Sequence, residues 1–297
     1  MKYFNGICYS GYREGQSPLK KIYPSYEEIK EDLNILKGQY QYLRMYDLSE
    51  NTVRVLNTIR KEKLPFKVMM GVEWRGEISN PNCPWGGLHS DEEIEANIKY
   101  NLELVEKCIE MAHEYEDVVE FIGAGNESTS EWQGNLVSPE SVAKYAKMIK
   151  DNVNQKVTFC EGAYYWATKD QVIASVVDFI SIHTYPLWNR VNASDALAYN
   201  IKDYEMVKKA YPDKDIIITE AGWATKSDSA GMLVEECNEE SQDVYLKSFT
   251  EYFENIKVPT FLFEAFDEPW KGGASINEPE KHWGIYNVDR TPKKYKK

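Results

Sequence analysis

Eight short apolar runs punctuate the chain, at 3–9, 42–46, 66–72, 118–123, 157–160, 179–183, 216–219 and 260–266. Each is rich in β-branched or aromatic residues with little polar interruption. That is the composition of strands buried on both faces, as parallel strands are. Amphipathic segments lie between them. Ile94, Ile98, Leu102, Val105, Ile109 and Ala112 recur every three or four residues, which predicts a helix with one stripe against a core. Val244, Phe249, Tyr252, Phe253 and Ile256 predict a second. Ser25 with Glu28 and Ser90 with Glu93 are capping boxes that open helices, and Ser138 caps a helix whose first residue is Pro139. Eight strands alternating with helices predict an α/β chain folded as one (β/α)8 barrel over residues 1–297, although an open doubly wound sheet also alternates. No linker rich in Pro, Gly or Ser divides the chain. The segment after Cys160 is short for a full helix, and the last helix, after Phe266, is expected to be short or absent.

The predicted strands end in polar residues: Glu73, Glu127, Glu161, His183, Glu220, and Glu264 with Asp267 and Glu268. In a barrel these ends meet at one mouth, where such folds place their chemistry. An ionisable group at a buried strand end is costly without partners. One such residue could be structural, but a ring of them points to a site. His183 reads either as part of that site or as a strand-end histidine satisfied by its neighbours, and the second is the simpler reading. The eight tryptophans, Trp74, Trp85, Trp132, Trp166, Trp188, Trp223, Trp270 and Trp283, follow strands or lie in the loops after them, with none in the middle of a clear helix. Flat aromatic faces suit the apolar faces of sugar rings, and Trp132, Trp223 and Trp270 are taken as candidate stacking residues. The plainer reading for Trp223 and Trp166 is packing of the barrel top.

Composition narrows the ligand. Asp plus Glu number 48 against 35 Lys plus Arg, a net charge of −13. Such a surface repels phosphate backbones and anionic lipid headgroups, so nucleic acid and membrane are not the expected partners and a neutral ligand is. The lysines at 293, 294, 296 and 297 read as a solvated tail. No apolar run approaches the roughly 20 residues that span a bilayer. A cytoplasmic location is expected unless a leader has been removed, in which case the protein is secreted or periplasmic. The five cysteines form no CxxC; Cys8, Cys108 and Cys160 read as core residues, and the pairing of Cys83 and Cys237 is open. Gly123-Ala124-Gly125 lacks the third glycine of a dinucleotide loop, and Glu127 would oppose a pyrophosphate. The four histidines form no zinc motif, and no metal or organic cofactor is expected.

Glu127 ends the fourth run and Glu220 the seventh, so a barrel brings them to the same mouth from across the sequence. Glycoside hydrolysis needs two carboxyl groups at one bond. One holds a proton for the leaving oxygen, and the other is ionised to attack the anomeric carbon. Asn126 adds an amide able to bind a sugar hydroxyl.

The segments Gly6-Ile-Cys-Tyr-Ser-Gly-Tyr, Leu43-Arg-Met-Tyr46, Gly125-Asn-Glu127, Thr219-Glu-Ala-Gly-Trp223, Phe263-Glu-Ala-Phe-Asp-Glu-Pro-Trp-Lys271 and Glu280-Lys-His-Trp-Gly284 together resemble glycoside hydrolase family 17, over nearly the whole chain. The resemblance implies a retaining β-1,3-glucanase of the bacterial and fungal type on a (β/α)8 barrel, acting on laminarin-type glucan or its oligosaccharides. It implies Glu127 as acid/base, Glu220 as nucleophile, and Tyr185 hydrogen-bonding near the nucleophile. Asn126 would sit on the sugar 2-hydroxyl, and Glu268, Lys271 and Glu280 around the acid. The loop 73–89 does not align with the family. Two alternatives stand beside hydrolysis: transfer of the same glycosyl-enzyme to a sugar acceptor, and a glucan-binding module without catalysis. Endo or exo action, tolerance of branches or mixed linkages, and oligomeric state are left open.

Overall fold

The computed structural model describes residues 1–297 apart from Pro84, Trp85 and Lys297. Every predicted strand is present: β1 (Asn5–Cys8), β2 (Tyr42–Arg44), β3 (Lys67–Gly71), β4 (Val119–Asn126), β5 (Lys156–Gly162), β6 (Ile180–His183), β7 (Ile216–Gly222) and β8 (Thr260–Phe263). They close a parallel barrel in chain order, with β8 returning to pair with β1. The fold is a (β/α)8 barrel, and the open sheet is excluded.

The helices outside it begin where the capping chemistry places them. Ser25 opens α1 (Tyr26–Leu36) and Ser90 opens α3 (Asp91–Glu114), each with both hydrogen bonds of the box. Ser138 caps α4 (Pro139–Lys150). The remaining helices are α2 (Glu50–Glu62), α5 (Ala163–Thr168), α6 (Gln171–Ala174), α7 (Ala196–Ala210) and α8 (Glu239–Asn255). Between β5 and β6 there are only the two short pieces α5 and α6. After β8 the described residues form no α-helix, only a turn of 3-10 helix at Pro279–Lys281.

Three expectations are corrected. The stripe of α8 faces inward through Gln242, Tyr245, Leu246, Phe249 and Phe253, while Val244 and Ile256 are exposed. Gln242 is on the inner face because its amide donates to the carbonyls of Trp223 and Gly284, a demand that apolar periodicity does not record. Trp166 lies within α5 rather than in a loop. The lysine-rich end is not a free tail: Lys293 is buried against Asp267 at 2.7 Å, Lys294 pairs with Glu240, and Tyr295 is buried. Nearby, Arg290 grips Asp32 of α1 with two hydrogen bonds of 2.7 Å, tying the segment after β8 across the β8–β1 seam.

Apolar side chains form two layers. One lies between strands and helices. The other fills the barrel interior with Phe4, Cys8, Met69, Phe121, Cys160, Phe179, Ile217 and Phe261. Phe4 stacks on Tyr42 at 3.9 Å between ring centres and meets Phe261 edge-on at 5.4 Å. Gly6 is required here, because a Cβ would lie 2.4 Å from the Phe261 ring. All five cysteines are free thiols.

Two strands depart from even pairing just below the mouth. Between Gly123 and Asn126, β4 holds one residue more than β5 spans. Near Glu220, β7 holds one more than either β6 or β8. Alternation carried on from Ile217 in the interior would turn Thr219 inward and Glu220 toward the helices; an extra residue resets the parity. In β4 the irregularity includes Gly125 at φ +116°, where a Cβ would also strike Trp74 at 2.6 Å.

Candidate active site

The reset strands bring Glu127 and Glu220 to one place, with His183 from the end of β6 between them. His183 Nδ1 is 2.7 Å from Glu127 Oε1 and 3.6 Å from Glu220 Oε2. One carboxylate oxygen of each glutamate and a ring nitrogen of His183 lie within 4.8 Å of one another. Glu127 itself sits in the left-handed region at φ +50°, its N–H donating to the Cys160 carbonyl at 2.8 Å.

Glu220 is held on both oxygens. Oε1 accepts from Arg44 and, at 2.9 Å, from the Tyr46 hydroxyl, and Oε2 accepts from Tyr185 at 2.6 Å. Burial pushes this carboxyl up, but the charges of His183 and Arg44 and these hydrogen bonds outweigh it and bring it down to about 2. It is therefore ionised at neutral pH. Arg44 is buried and reaches across the barrel, its second nitrogen donating to Asn126 Oδ1 at 2.5 Å. Arginine has no acceptor, so the amide must turn its oxygen to the guanidinium and offer its N–H₂ group elsewhere. Tyr185 is fixed edge-on to Trp283 at 5.3 Å and to Phe263 at 5.8 Å.

Glu161, another strand-end carboxylate, faces away from the mouth. It is fully buried and accepts from the hydroxyls of Thr129 and Ser130, so it anchors the loop that follows Glu127. Burial first, and then the charge of Glu127, raise it to about 8.

The other expected site residues divide. Glu268 and Lys271 come together at 3.0 Å with Glu264, which is 2.6 Å from the same Lys271 nitrogen. Glu280 is half-buried nearby; burial raises its carboxyl, and the charge of Lys271 only partly offsets this. This group was expected around the acid, yet its ion pairs converge on Lys271. Among the described residues the side-chain partner of Glu127 is His183. The group belongs to the end of β8, beside β7, and Lys271 lies 4.7 Å above the ring of Phe263. Trp270 is half-buried, with its indole N–H on Glu268 at 3.1 Å. Trp132 is 42% exposed in the loop after β4. Trp223 is not available to a ligand: it is fully buried, donates to the Glu236 carbonyl and packs on Tyr245 at 5.1 Å. Trp74, Trp166 and Trp283 are also buried, Trp188 is exposed, and Trp85 lies outside the described residues.

Arg44 and Tyr46 were missed as site residues, and the neighbours that satisfy His183 at its strand end are Glu127 and Glu220 themselves. The signal for Arg44 was present: an arginine inside an apolar strand must have a buried anionic partner. The three groups Glu127, His183 and Glu220 have a spacing that a metal ion could use. Arg44 on Glu220 and the imidazole on Glu127 already supply positive charge to both carboxyls, so the donor set does not call for a cation.

Residues 6–284 match the family model described as the BtgE/BtgC glycoside hydrolase domain. A glucan 1,3-beta-glucosidase of Arthroderma benhamiae is 24% identical over 90% of this chain and 83% of its own length. Other curated relatives are longer, and the chain spans 29% of one and 43% of another. Among solved structures, an endo-laminarinase from Formosa superposes with a TM-score of 0.82 at 23% identity, covering 96% of this chain and 84% of that one. A family 17 beta-1,3-glucanosyltransferase from Rhizomucor miehei gives 0.75 at 23%, covering 98% and 96%.

Proposed function

The chain belongs to the BtgE/BtgC glycoside hydrolase domain family, and from that premise we propose that it cleaves β-1,3-linked glucan or its oligosaccharides with net retention of configuration. The observation that carries this reading is the pair of glutamates at one mouth, one fixed as an anion by four partners and the other partly open to solvent. Retaining chemistry uses carboxyl groups about 5–5.5 Å apart, whereas inversion needs room for a water between them, about 6.5–9.5 Å. Oxygens within 4.8 Å favour the first. The names of the A. benhamiae relative and of the Formosa laminarinase support the linkage.

Glu220 attacks the anomeric carbon while Glu127 gives its proton to the glycosidic oxygen. A covalent glycosyl-enzyme forms on Glu220 and the aglycone leaves. Glu127 then takes a proton from water as that water attacks the same carbon, which frees Glu220. Tyr185, Tyr46 and Arg44 hold the nucleophile in line. The Asn126 N–H₂, turned away from Arg44, donates to a sugar hydroxyl.

Glu220→Gln is expected to abolish release of reducing ends from laminarin while oligosaccharide binding remains measurable by calorimetry. Near-normal turnover in that variant would refute the assignment. Mass spectrometry of products from one oligosaccharide distinguishes the acceptor: shorter products mean water, lengthened ones mean transfer to sugar.

A further inference from the structure

Glu127 must deliver a proton in this mechanism, and its carboxyl faces a buried imidazole. The neighbouring group able to store that proton is His183. Its side chain is 1% exposed, and Nδ1 is 2.7 Å from Glu127 and 3.6 Å from Glu220. We propose that His183 is a positioning residue that stores the catalytic proton of Glu127, so that the general acid is the Glu127–His183 pair and not the carboxyl alone. This rests on the reading of Glu127 as acid/base.

The titratable and charged groups facing the imidazole come from several strands: Glu127 after β4, the Cys160 thiol from β5 and Glu220 from β7, with Arg44 of β2 behind Glu220. Burial opposes a charge on the ring. Glu220, Cys160 and Glu127 overcome it and raise the imidazole to about 10. In the proposed resting pair the stored proton sits on the imidazole. During glycosylation the proton on Nδ1 passes to Glu127 Oε1, and Glu127 gives that same proton to the departing glycosidic oxygen, leaving neutral imidazole and carboxylate. During deglycosylation the water proton taken by Glu127 returns to Nδ1. One proton enters and one leaves per cycle, and the last proton of the pair is lost at a pH set by both groups together.

The test is the pH dependence of kcat/KM for wild type and His183→Gln, with a β-1,3-glucan oligosaccharide and with a dinitrophenyl laminaribioside whose leaving group needs no acid. On the oligosaccharide the basic limb is expected to move toward acid by about one unit or more, so that the loss at pH 8 exceeds the loss at pH 5 by about tenfold or more. On the activated substrate the limb stays in place. A limb that does not move makes His183 purely structural and overturns the proposal. A limb that moves toward alkaline pH also overturns it, because His183 is then a fixed charge that only weakens the acid. Nitrogen-15 NMR of wild type keeps the test independent of the variant's folding: one of the four imidazoles should remain charged above pH 8, and finding none would be decisive against storage. Wild type inert toward both substrates would sink the parent reading instead.

Discussion

The floor and the mouth of this barrel are built from the same eight strands by opposite rules. At the floor, rings meet rings: Phe121 lies 5.5 Å from Tyr42 and 5.3 Å from Phe179, centre to centre. At the mouth, the interior positions hold Arg44, His183 and Glu220, buried as completely as the phenylalanines below. Burial of rings is favourable by itself. Burial of charges is tolerated only as a closed network, where each group's cost is offset by its neighbours. Stability should therefore reside largely in the lower layer and catalysis in the upper one, and substitutions should separate the two.

The sharpest separation comes from Glu220→Gln. Turnover should fall on the order of 10⁴-fold or more while the thermal midpoint moves little, read by reducing-sugar assay and calorimetry. Phe121→Ala is its mirror: a loss of about 3–5 kcal/mol in denaturant unfolding, with activity per folded molecule within about twofold of wild type. Arg44→Met cuts across the division. It removes one of the charges that hold Glu220 low, so the carboxyl rises toward its ordinary range and the acid limb of kcat/KM moves up in pH. Since Glu220 is active only when ionised, the loss deepens as pH falls; a fixed acid limb would mean that Arg44 does not govern the charge of the nucleophile. Trp132→Ala should be mildest, raising KM for longer oligosaccharides by about five- to tenfold with no change in thermal midpoint, roughly 1 kcal/mol of lost ring contact. Trp223→Ala makes the contrast, since that indole supports the wall behind β7 and its loss should appear in stability.

The architecture was legible because buried parallel strands leave an unbroken apolar record, and the capping serines mark helix starts with a local hydrogen bond. That Glu127 and Glu220 share one mouth was legible because both end strands of a closed barrel, but that alone does not set them apart from Glu161, which ends β5 and anchors a loop. What escaped was direction. A tryptophan after a strand can stay open to solvent, as Trp132 does, or turn back under a helix, as Trp223 does, and position in sequence is the same for both. His183 escaped for a related reason: its partners come from β4 and β7, which only closure of the barrel brings near. Lys293 was misread because charge pattern alone does not reveal that Asp267 awaits it.

The supernumerary residues in β4 and β7 have a consequence for anyone moving this chemistry elsewhere. Grafting Glu220 onto another eight-stave scaffold at the matching height would aim it outward, since a regular stave has the wrong phase. The unit to transplant is the offset together with that acid, and deleting a single residue below it should silence the enzyme while leaving the cylinder standing.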